Sequence, residues 1–107
     1  MPDVKQPLIV VDAWRVADGD QEKFIDALVG LFSRLRELEG FIDGEILRGV
    51  DPTRFVTYAR MRSARERDAA FLDSEVQGGL RTIRRIARPD PGAYTVFRKF
   101  APEKSSA

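Results

Sequence analysis

The order of elements along this chain predicts an α+β domain of the ferredoxin-like kind, β-α-β-β-α-β. Three observations carry that expectation. An apolar strand precedes one long amphipathic stripe, two strand-like runs flank Asp51-Pro52-Thr53, and a second helical region leads into a final strand. At 107 residues a single domain is expected over 1–107, with an ordered core at about 8–101 and a loose tail at 102–107.

The first strand is placed at residues 8–15. Its two faces, Leu8, Val10, Asp12, Trp14 and Ile9, Val11, Ala13, Arg15, are both largely apolar, so both need covering. Helices can cover one face; together with the small size of the domain, the other argues for a homo-oligomer. Asp18 and Gln21, three residues apart, have the spacing of a capping box and open a helix. Its stripe runs Phe24, Ala27, Leu28, Leu31, Leu35, Leu38, widened by Ile25, Val29 and Phe32, and Gly40 suits the position just past its end. Residues 41–50 and 54–61 form a hairpin, because proline after Asp51 favours a turn and removes a ladder donor. Ser63 to Glu66 is a second capping box, opening a helix to about residue 72. Asp73-Ser74 interrupts, and residues 75–87 resume a helical pattern weakened by Gly78-Gly79. Pro89-Asp90-Pro91-Gly92 should end that helix, leaving residues 93–100 as the last strand.

Composition closes several routes. The chain has no histidine and no cysteine, which excludes disulfides, thiolate chemistry and a histidine-based triad, and no carboxylate cluster has ligand spacing, so no metal is expected. Gly78-Gly79 lacks the Lys-Ser/Thr of a phosphate loop. No apolar run approaches a membrane span, and the start resembles no signal peptide, so a cytoplasmic protein without membrane contact is expected. The net charge is +1, yet residues 1–53 carry 6 basic against 11 acidic side chains and residues 54–107 carry 12 against 6. Solvated helix faces are the plain reading of that split, pairing between subunits is the second, and binding to a polyanion the third.

What remains is acid–base and hydrogen-bond chemistry. Asp12 is the foremost candidate, since alternation puts its carboxylate on one face with Val10 and Trp14, where desolvation raises a carboxyl pKa and makes a proton acceptor. Pairing with Arg15, Arg60 or Arg98 is the alternative. Phe55, Thr57, Ala59 and Met61 share one face of the third strand, and Val56, Tyr58 and Arg60 the other. Trp14, Phe32, Met61 and Phe71 can wall an aromatic-ligand pocket. Arg81, Arg84, Arg85 and Arg88 fall on one helical stripe opposite part of the Leu80, Ile83 stripe, as a solvated face or as a lid or anion contact.

The segment Glu39-Gly40-Phe41-Ile42-Asp43-Gly44-Glu45, the turn Asp51-Pro52, the strand from Arg54 to Met61 and the helix start Ser63-Ala64-Arg65-Glu66 resemble the antibiotic biosynthesis monooxygenase superfamily across residues 8–101. The resemblance implies a dimeric α+β barrel of two ferredoxin-like subunits, with a pocket in each between sheet and helices. Polyketide-type members oxygenate anthrone-like phenols with O2 and no metal, flavin or other prosthetic group. Where such members carry asparagine, asparagine and tryptophan, this sequence has Asp12, Thr57 and Met61. The expected catalytic set is Asp12 as base, with Thr57 and Tyr58 donating hydrogen bonds. Trp14, Phe32, Met61, Phe71 and Tyr94 are the expected substrate contacts. Alternatives are ring opening with reduced flavin and a non-catalytic aromatic-binding dimer. Nucleic-acid binding is not expected, because residues 8–13 of the first strand offer no stacking ring and the net charge is near zero.

Overall fold

The structure is a computed structural model that describes residues 6–103, the side chain of Pro91 excepted. Seven elements follow in order: β1 (Leu8–Val16), α1 (Gln21–Leu35), β2 (Phe41–Arg48), β3 (Arg54–Met61), α2 (Ala64–Phe71), α3 (Ser74–Ile86) and β4 (Ala87–Tyr94). The strands form one antiparallel sheet in the order β2-β3-β1-β4, the ferredoxin-like arrangement expected from the sequence. Residues 104–107 of the expected tail lie outside the described residues.

All helices pack on one face of the sheet. There Trp14, Val16, Phe55 and Met61 from the strands meet Phe24, Leu28, Leu31, Val76 and Ile83 from the helices, all buried. Phe24 stands edge-on to Trp14, with ring centroids 5.4 Å apart, and 5.0 Å from Phe55, geometries favoured by the ring quadrupoles. The other face carries Ile9, Val11, Ala13, Leu47 and Val56 and is covered by no element of this chain among the described residues; Leu47 is 45% exposed.

The helix signals are largely realised, with one shift. Ser63 caps α2 by accepting from the Glu66 amide at 3.1 Å. Asp73 caps α3 by accepting from the Glu75 and Val76 amides, and Arg34 of α1 donates two hydrogen bonds to the same carboxylate. The break at Asp73-Ser74 is thus a cap and a clasp between helices. Asp18 does not cap α1: the N-cap is Asp20, and Gln21 instead bonds Asp18 and the Gly19 amide within the preceding turn. Helix α1 also stops at Leu35, and a turn carries Leu38 to Gly40, whose φ of +92° is a conformation that glycine tolerates. Helix α3 runs unbroken through Gly78-Gly79, where a Cβ on Gly79 would stand 3.3 Å from Leu31 of α1. The glycine that weakens helix propensity therefore allows the two helices to close up.

The last strand departs from expectation. It occupies Ala87–Tyr94, straight through both prolines, and residues 95–100 are irregular. β4 is an edge strand, and Pro89 and Pro91 are two residues apart, so their missing N–H groups fall on the same, open side. Position in the sheet, not local propensity, decides whether proline ends a strand. Beyond β4 the chain exposes Phe97 and Phe100, 91% and 83% accessible.

Candidate functional site

Period-2 alternation along β1 and β3 aims Asp12, Trp14 and Thr57 into the space under the helices. Two connected recesses lie there. An inner one of about 30 Å³ is bordered by Asp12, Trp14, Phe32, Thr57, Phe71 and Leu80. An outer one of about 260 Å³ shares Asp12, Trp14, Phe71 and Leu80 and adds Arg67 and Arg84 at the side toward β4. The walls are apolar and aromatic, the polar points few, as in small-molecule sites.

The Trp14 indole donates to Thr57 Oγ1 at 3.0 Å, both residues buried. This bond uses the hydroxyl as an acceptor and leaves its own O–H free to donate into the cavity. Asp12, two positions before Trp14 on the same face of β1 and directly opposite Thr57, makes no ion pair within 4 Å among the described residues. Burial pushes its carboxyl above the usual carboxylate range; the Arg84 charge pulls the other way and Asp90 adds to the rise. The anticipated arginine partners are elsewhere. Arg15 lies on the opposite sheet face by alternation, and Arg60 forks onto Asp43 at 2.6 and 2.7 Å.

Five of the eight candidate residues therefore come together: Asp12, Trp14, Phe32, Thr57 and Phe71. Three do not. Tyr58 borders the inner recess, but its hydroxyl donates to Glu45 Oε1 at 3.0 Å on the open sheet face, and that bond holds the phenol pKa up. Met61 is fully buried in the core and lines neither recess. Tyr94 pairs with Ile9 at the far end of β4, is 55% exposed, and folds back over Gly92. Sequence reasoning missed Arg84 as a cavity residue, having placed the arginine stripe away from the apolar one. Arg84 is four residues after Leu80, so it shares that residue's helix face, and this spacing was the available signal. Arg88 leaves the stripe altogether, since the helix ends at Ile86 and Arg88 belongs to β4.

Among the described residues no three His, Cys, Asp or Glu side chains gather as a metal site, and no helix is long and apolar enough to cross a membrane.

No protein-family model matches the sequence, and no curated protein is significantly similar to it. Solved structures share its fold. SnoaB of Streptomyces nogalater, described as a cofactor-independent oxygenase, superposes with a TM-score of 0.83 over 92% of this chain and 99% of its own, at 18% identity. A provisionally named antibiotic biosynthesis monooxygenase of Nitrosomonas europaea gives 0.79 over 91% and 94% at 17% identity, and another from Chloroflexus aurantiacus gives 0.73 over 89% and 97% at 14%. The chain thus has the ferredoxin-like α+β fold that antibiotic biosynthesis monooxygenases also have.

Proposed function

We propose that the chain belongs with the antibiotic biosynthesis monooxygenases and oxidises an electron-rich polycyclic phenol, an anthrone-like compound, with O2 and no bound cofactor. The observation that carries this reading is Asp12: a half-buried carboxylate, raised in pKa and without an ion-pair partner among the described residues, in an aromatic-walled cavity opposite a hydroxyl free to donate.

In this reading Asp12 takes a proton from the activated CH2 of the substrate, and the anion spreads its charge onto the phenolic oxygen. Thr57, held by Trp14, donates a hydrogen bond to that oxygen. The anion passes one electron to O2, the two radicals join as a C–O–O bond, and Asp12 returns its proton to give a hydroperoxide. Loss of water leaves a ketone, so the substrate supplies all four electrons. Phe32, Phe71 and Trp14 orient the rings and keep water out. A second copy of the chain, packed against Ile9, Val11, Leu47 and Val56, accounts for an apolar face that the described residues of this chain leave open.

The test is oxygen uptake by the metal-stripped protein with anthrone-type hydroxyaromatics, corrected for autoxidation, with and without reduced flavin. Uptake without additives supports the proposal, provided Asp12→Asn lowers it by about 10²–10⁴-fold. Uptake only with flavin favours the ring-opening alternative, and binding without uptake favours a ligand-binding dimer.

A further inference from the structure

The open face of the sheet ends in a row of arginines. Arg15 stands directly opposite Arg54 on one side and Arg88 on the other, so three guanidinium side chains lie abreast on β3, β1 and β4. Strands sit about 4.8 Å apart, giving a row roughly 10 Å long. All three are exposed. Arg54 has one loose contact, 3.8 Å to Asp51, and Arg15 and Arg88 make no ion pair among the described residues. Like charges placed opposite one another across strands repel, and Asp51, 3.8 Å from Arg54, offsets this only in part.

A groove of about 890 Å³ runs round this end of the sheet. It adds Arg84 and Arg85 from α3 to the row, with Ile86 and Pro89 as apolar wall, and Asp90 is the one acid among the described residues that lines it. We propose that the groove is a second binding site, for an anion of linked phosphates such as a di- or triphosphate, with any organic portion lying against the apolar wall. Guanidinium forks match phosphate oxygens two at a time and stay charged at any working pH. A row of forks suits several anionic groups in line better than a single carboxylate. Arg84 borders both this groove and the Asp12 cavity, so an anion in the groove changes the field at the cavity.

Calorimetric titration of the purified chain with inorganic pyrophosphate, with ADP and citrate in parallel, tests this. Saturable pyrophosphate binding that weakens with salt is expected, falling about tenfold in Arg15→Gln. Arg15→Lys, which keeps the charge and loses the fork, should fall between, and Arg81→Gln, outside the groove on α3, should bind as the parent does. Tighter binding of ADP than of pyrophosphate supports a nucleotide-like ligand; equal binding supports the phosphates alone. The proposal is overturned by absent binding, by citrate binding as tightly as pyrophosphate, by folded Arg15→Gln binding unchanged, or by Arg15→Gln altering only the oligomeric state.

Discussion

Replacing Thr57 by valine keeps the shape of the side chain and removes the acceptor of the Trp14 indole. Trp14 is 4% exposed and Thr57 3%, so water has no easy access to the abandoned N–H. An orphaned buried donor costs about 1–3 kcal/mol. At roughly 5 °C per kcal/mol for a domain of this size, the thermal midpoint should fall by roughly 5–15 °C. The cause is separable by a double-mutant cycle: in a Trp14→Phe background, which has no donor to orphan, Thr57→Val should cost little. Thermal and urea unfolding of the four proteins supply the comparison. An equal loss in both backgrounds would refute the hydrogen bond as the cause and assign the cost to packing. Oxygen uptake read on the same proteins should fall wherever Thr57 is absent, whatever the stability.

Asp12→Asn should stabilise the protein at pH 7. A carboxyl raised on folding holds its proton more tightly in the native state, so its contribution is present at low pH and lost as pH rises from 3.8 through the native value; an unchanged urea midpoint at neutral pH would contradict this. The same raised pKa makes turnover fall as pH drops through it, with the base protonated. Asp73 has the opposite sign. Arg34 holds it at about 2, so its contribution is present above 3.8 and lost as pH falls toward 2, and Asp73→Asn should flatten that part of the acid unfolding profile. A Cβ on Gly44 would meet Tyr58 O at 2.5 Å and the Phe32 ring at 2.9 Å. Gly44→Ala should therefore cost about 1–3 kcal/mol and weaken binding of a hydroxyaromatic by displacing Phe32, as fluorescence titration would show.

Much of the site was readable from local rules. The residues of β1 and β3 alternate strictly, and that alone put Asp12, Trp14 and Thr57 on one face. The same rule turns the side chains of Tyr58 and Tyr94 toward the other face. Met61 has the correct parity but sits at the end of β3, where the core closes over it. Arg84 was hidden because a run of arginines reads as solvated until a neighbouring apolar residue is counted at helical spacing.

The sequence by itself determined the element order, the sheet's two faces, the Ser63 cap of α2, and the placing of Asp12 on the face of Val10 and Trp14, because each depends on neighbours within about four positions. Only the tertiary structure decided where the last strand lies, that Asp73 caps α3, that Asp12 has no ion-pair partner among the described residues, and that Arg15, Arg54 and Arg88 stand abreast. Those depend on which strand becomes an edge and on cross-strand register, quantities set by residues up to some seventy positions apart in the chain, as Arg15 and Arg88 are.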